Sequence, residues 1–273
     1  MCCRSLKETD PRLEIDEKAN LGNSAARTDP GLRQTVVSGF FITFEGTEGS
    51  GKSTQIELLA GIMRQAGHSV RTIREPGGTA IGEEIRHTLK HSPYNRAMTP
   101  ETELLLMNAS RAQLVREVIR PALQAGEIVL CDRFCDSTLV YQGYGRGLDL
   151  PLVQAIVDFA VGNTRPDLTF LLAIPLELSE QRRASRLAAA LGGGPPAGDR
   201  PSSSETLRDR FEESDSDFFR RVQAGYEELA RAQTARVCRI DATRSVELVA
   251  ADIREIVSRR LRPMSRSIPG TTP

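Results

Sequence analysis

The chain has 273 residues, 39% of them hydrophobic and 26% charged, which suits one large α/β domain with tails. Lys plus Arg and Asp plus Glu number 36 each, so the formal net charge is zero and gives no support for a nucleic-acid or membrane partner. Five cysteines without framework spacing, with no C-x-x-C and no His cluster, argue against a disulfide scaffold or a zinc site and for a reducing cytoplasm.

Residues 1–36 are polar and mixed in charge, and are expected to form a disordered extension. They contain no signal-peptide core, and Glu8, Asp10, Glu14, Asp16 and Glu17 oppose a transit peptide. No apolar run approaches the roughly 18 residues of a membrane span. The folded domain is expected at 37–262. Strand candidates are 39–45, 69–74, 127–131, 168–174 and 236–240. Helices are expected between them. One follows Ser53. One opens at Thr99-Pro100-Glu101, with a Thr cap and a Pro in the first turn, and runs toward Pro121. One opens at Asp149-Leu150-Pro151, and others span about 179–191, 215–233 and 245–261. Repeated βα units predict a three-layer P-loop NTPase-type fold: a central five-stranded parallel sheet, helices on both faces and ligands at the C-terminal strand ends.

Gly46-Thr47-Glu48-Gly49-Ser50-Gly51-Lys52-Ser53 fits G-x-x-x-x-G-K-[ST] and stands between the first strand and the first helix. Glycines let backbone N–H groups curl around a phosphate, and the following helix aims its positive end at the same anion. Lys52 adds charge at the outer phosphates. The Ser53 hydroxyl is a candidate Mg²⁺ ligand, and Thr54 completes the set expected against ATP. Asp132, at the end of the third strand, is the second candidate metal ligand. Arg74-Glu75-Pro76-Gly77-Gly78-Thr79 follows the second strand and offers a second anion-ready turn. Arg86 is expected on the helix after it, on the face opposite an exposed Lys90. Arg74, Arg86 and Arg133 would then surround a second phosphate site facing Lys52, which implies transfer between two phosphorylated molecules. A glycine- and proline-rich stretch at 192–198 lies among Arg182, Arg183, Arg186, Arg200, Arg208 and Arg210. It reads as a mobile lid over about 182–214 that brings arginines onto the triphosphate. Residues 263–273 are expected to be a disordered tail.

Several of these segments resemble thymidylate kinase of the bacterial type. They are Phe44-Glu45-Gly46 with Glu48, the Arg74–Thr79 turn, Asp132-Arg133-Phe134-x-Asp136-Ser137-Thr138-x-x-Tyr141-Gln142-Gly143, Arg165-Pro166-Asp167 and Ile240-Asp241-Ala242-Thr243. The resemblance covers about residues 38–262 in the right order. It implies that Glu48 binds the deoxyribose 3′-hydroxyl, that Arg74, Arg86 and Arg133 hold the acceptor phosphate, and that Arg111, Thr138 and Gln142 read the thymine edge. Tyr141 would lie against the sugar. Met107 would take the place where the family offers a phenylalanine to the base. Lys52, Arg133 and the lid arginines Arg182, Arg186 and Arg210 would neutralise the transferring phosphoryl group, and the stretch from Asp241 to Arg244 would lie by the adenine. The resemblance also implies a homodimer. The reading is an ATP:dTMP phosphotransferase with Mg²⁺. The alternatives are a kinase of another nucleoside monophosphate and a non-catalytic nucleotide-binding module that retains the fold.

Overall fold

A computed structural model describes residues 39–190 and 216–261. The disordered-extension and tail assignments, and most of the lid, fall outside them. The five strands form one parallel sheet in the order β2-β3-β1-β4-β5. They are β1 (Phe40–Glu45), β2 (Val70–Arg74), β3 (Ile128–Asp132), β4 (Leu168–Ala173) and β5 (Val237–Asp241). Each strand lies within a residue or two of its expected span; β1, β3 and β4 are short apolar runs buried on both faces, while β2 and β5 keep exposed positions.

Period-two alternation divides the core between the two sheet faces. Ile42 and Phe44 of β1, Leu130 of β3 and Leu168, Phe170 and Leu172 of β4 face one side. There they meet Ile56, Leu59 and Met63 of α1 (Lys52–Gln65) and Val249, Ile253 and Val257 of α9 (Val246–Leu261). Phe41, Val129 and Cys131 face the other side. They meet Leu104 and Leu114 of α3 (Pro100–Leu114) and Val153, Val157 and Val161 of α6 (Leu150–Val161). The polar positions on that second face are paired within the core: Thr43 Oγ1 and Thr169 Oγ1 are 2.7 Å apart.

Local signals set the helix starts. Thr99 and Asp149 cap α3 and α6 through side-chain oxygens, each followed by a proline in the first turn. Beyond Leu114 the helix continues past Pro121. It widens into a π-helical turn over Val115–Ile119 and resumes as α4 (Arg120–Gln124). Pro121 stands in the first turn of α4, where its missing N–H is harmless. A second π-helical turn, Leu139–Gly145, continues α5 (Cys135–Thr138). Helices α7 (Leu176–Ala190) and α8 (Ser216–Ala232) flank residues 191–215 in the sequence. Among the described residues no helix is long and apolar enough to cross a membrane.

Candidate active site

Parallel strands bring the C-terminal ends of β1, β2 and β3 to one edge, and a cavity of about 850 Å³ opens there. The loop after β1 forms its floor. Gly46 has φ 133°, and a Cβ there would stand 2.5 Å from the Leu172 carbonyl, so only glycine lets the loop turn against β4. Gly51, at φ 94°, precedes α1 and offers no side-chain cap, which leaves the first amides of α1 open. Lys52 is buried, and its Nζ donates to the carbonyls of Gly46 at 3.2 Å and Thr47 at 3.0 Å. Burial, aided by the nearby Arg133 charge, lowers its pKa to about 8. Ser53 Oγ donates to Asp132 Oδ2 at 2.8 Å, joining the ends of the loop and β3.

The cavity is lined by Glu48, Gly49 and the stretch from Gly51 to Thr54 on the loop side. Gly46, Thr47 and Ser50 lie behind this surface. Asp132, Arg133, Arg74 and Arg86 line the opposite side. Lys90 lines it as well, which corrects the expectation that it faces away from Arg86. The two are one helical turn apart on α2 (Ala80–Lys90), and residues four apart share a face. The turn after β2 is not an open anion nest. Gly77 N–H donates to Ser110 Oγ, Gly78 N–H to Glu83 Oε1, and Thr79 caps α2. Positive charge at this end therefore comes from side chains. Arg74 is held by Glu83 and the Pro76 carbonyl, to which Arg86 also donates.

Arg133 is the described non-glycine residue with positive φ, 67°. That turn sends its guanidinium back over the Tyr141 ring, 4.9 Å from the centroid, where Nη1 donates to Ser137 Oγ and Tyr226 Oη. Beneath it is a carboxylate for which no role was assigned from sequence. Glu45 is fully buried and accepts from Phe134 N–H at 2.8 Å, Tyr226 Oη–H at 3.0 Å and Ser137 Oγ–H at 2.5 Å. Burial and the neighbouring Asp136 push its pKa up from 4.5 to about 7 against these donors and Arg133. Asp136 is held in turn by a two-pronged Arg236. A charged residue ending an apolar strand was the available signal for Glu45. Nothing in the sequence marks Tyr226, which is 181 positions away.

Met107, Arg111, Thr138, Tyr141 and Gln142 line the far end of the cavity. Arg111 is 2% exposed and committed to protein acceptors throughout: Nε and Nη2 to Glu75 Oε2, Nη2 to the Phe134 carbonyl, and Nη1 to Asn108 Oδ1 and Thr138 Oγ1. On the lid side, α7 is tied to the loop by Ser179 Oγ–H to the Glu48 carbonyl at 2.6 Å and Arg182 Nη1 to the Gly49 carbonyl at 2.9 Å. The Arg186 side chain and all of Arg210 lie outside the described residues. The stretch from Asp241 to Arg244 does not line the cavity. Asp241 Oδ1 accepts from Thr243, and Arg244 pairs with Asp252.

The family model for thymidylate kinase matches residues 44–253, from the end of β1 into α9. The chain belongs to the thymidylate kinase family. It is 49% identical to the thymidylate kinase of Syntrophotalea carbinolica over 77% of this chain and 91% of that protein. It is 45% identical to the thymidylate kinase of Geobacter sulfurreducens over 82% of this chain and 98% of that protein. The crystal structure of thymidylate kinase from Ehrlichia chaffeensis superposes with a TM-score of 0.61 at 29% identity, over 81% of this chain and 99% of that one. Family membership makes the chain a nucleoside monophosphate kinase.

The Glu45 network predicts a pH signature. Its folded pKa lies above its unfolded one, so this carboxyl stabilises the fold below about pH 4.5 and the contribution is lost as pH rises through about 7. Chemical denaturation across that window should show the stability difference between the wild type and Glu45→Gln falling by about 2–3 kcal/mol. A difference flat with pH would show that Glu45 is ionised throughout.

Proposed function

We propose that the chain transfers the γ-phosphoryl group of ATP to dTMP, giving dTDP. The observation that carries this reading is the one cavity lined both by Lys52 and Ser53 and by Arg74, Arg86 and Arg133. Two phosphate-binding groups sharing one cavity fit transfer between two nucleotides. The loop from Gly46 to Thr54 with Lys52 holds the donor's phosphates. Arg74, Arg86 and Arg133 hold the acceptor's phosphate, and Glu48 takes the sugar hydroxyl beside Tyr141. Met107 packs on the base, whose edge meets Thr138 and Gln142, with Arg111 buried behind them. No covalent nucleophile is needed, because the acceptor oxygen is already anionic. Lys52, Arg133 and Arg182, with Arg186 and Arg210, offset the repulsion between the two anions.

Ser53 and Asp132 fit Mg²⁺: both are hard oxygen donors, they lie 2.8 Å apart, and both face the cavity. When bound, Mg²⁺ neutralises charge on the donor's phosphates. We place the chain in the cytoplasm, without a membrane or nucleic-acid partner, in keeping with the free cysteines Cys131, Cys135 and Cys238. We also assign a homodimer. Its support is apolar side chains left on α3 and α6: Leu105 and Leu152 are more than half exposed, and Phe159 is 83% exposed. Sedimentation velocity should show a dimer for the wild type and a monomer for Phe159→Asp.

A coupled ADP-release assay with dTMP, dUMP, dGMP and dCMP tests the assignment, with dTMP expected to be the preferred acceptor. Lys52→Ala should keep the wild-type melting temperature but lose on the order of a hundredfold or more in kcat, as removal of one transition-state charge contact does. Retention of more than about a tenth of the activity would sink the phosphoryl-transfer assignment. Met107→Phe should lower the dTMP KM by roughly 2- to 10-fold with kcat nearly unchanged, since a ring adds about 0.5–1.5 kcal/mol of stacking. A collapse of kcat at constant KM would show that Met107 does not face the base.

A further inference from the structure

The far wall of the cavity carries a hydrogen-bonding polarity that its two side chains do not have by themselves. A threonine hydroxyl and a glutamine amide can each donate or accept. Thr138 and Gln142, each 1% exposed, lie four residues apart where α5 runs into its π-helical turn, and both line the cavity. Each is held by a different buried charge.

Arg111 Nη1 donates to Thr138 Oγ1 at 2.9 Å. A guanidinium can only donate, so the hydroxyl accepts there and its own O–H is left to donate. Gln142 Nε2 donates to Glu103 Oε1 at 2.8 Å. Glu103 is 0% exposed and paired with Arg146 through Nε at 3.2 Å and Nη2 at 3.0 Å. Its carboxylate can only accept, so turning the Gln142 amide over would set carbonyl against carboxylate. Gln142 Oε1 is thereby held away from Glu103, and it has no hydrogen-bond partner among the described residues.

We propose that Glu103 fixes Gln142 Oε1 as an acceptor beside the Thr138 hydroxyl, whose O–H Arg111 leaves to donate, making Glu103 a specificity-determining positioning residue that acts through Gln142. The wall then matches a pyrimidine in which a ring N–H adjoins a carbonyl, the edge shared by thymine and uracil. Cytosine presents the reverse, an amino donor beside a bare ring nitrogen. Against this wall its bare ring nitrogen faces the fixed Gln142 acceptor, and the hydrogen bond that a ring N–H would give is lost. The proposal rests on the reading that the acceptor's base lies at this end of the cavity.

Glu103→Gln keeps the shape but lets position 103 donate or accept, which frees Gln142 to turn. With ATP and Mg²⁺ present, kcat/KM is measured for dTMP, dUMP and dCMP. The dTMP-to-dCMP ratio should fall at least about tenfold, the scale of one buried hydrogen bond. The dTMP-to-dUMP ratio should stay within about twofold, because both bases present the same edge. Removing one member of a buried pair can prevent folding. The double variant Glu103→Gln, Arg146→Gln removes both charges and carries the same expectation. An equal loss on all three nucleotides, with the ratios unchanged, would overturn the proposal. Gln142→Met separates it from the reading beneath it. If that variant loses dCMP discrimination while Glu103→Gln keeps it, the positioning role is wrong and the base is still at this wall. If Gln142→Met leaves every ratio unchanged, the base is not there and both fail.

Discussion

A fully buried carboxylate at the end of the central strand holds the site together. Glu45 cannot be left without donors inside the protein, because an unpaired buried acceptor costs more than any one hydrogen bond returns. Its donors come from three separate stretches: the Phe134 amide after β3, the Ser137 hydroxyl in α5 and the Tyr226 phenol in α8. Satisfying one side chain therefore fixes the exit of β3, the start of the α5 turn and α8. Arg133 lies on this same triad, so its aim into the cavity is set by the requirement that Glu45 be paired.

The rest of the cavity follows a similar economy, in which buried charges orient neutral groups. Lys52 is bound to loop carbonyls, and burial, with the Arg133 charge, lowers its pKa. At the far end of the cavity, Arg111 spends its donors on Glu75, Asn108, Thr138 and the Phe134 carbonyl. It acts there as a rigid template for its neighbours, and the Thr138 hydroxyl it supports lines the cavity, beside a Gln142 amide held by Glu103.

The sequence by itself determined the sheet, the phosphate loop and the helix caps. Those signals are local: apolar runs for strands, glycines where φ is positive, and Thr99 and Asp149 at helix starts. It also supplied Arg74, Arg86 and Arg133 and most of the other residues that line the cavity. Tertiary structure alone decided which donors and acceptors are already spent. The amides of Gly77 and Gly78 read as an open nest, yet Ser110 and Glu83 fill them. Lys90 read as solvent-facing, yet it shares Arg86's face and lines the cavity. Glu103, Glu45 and Tyr226 gain their meaning only from partners 39 to 181 positions away. Motifs show which groups are present, but the partners a buried polar group must find are set by packing across the whole fold.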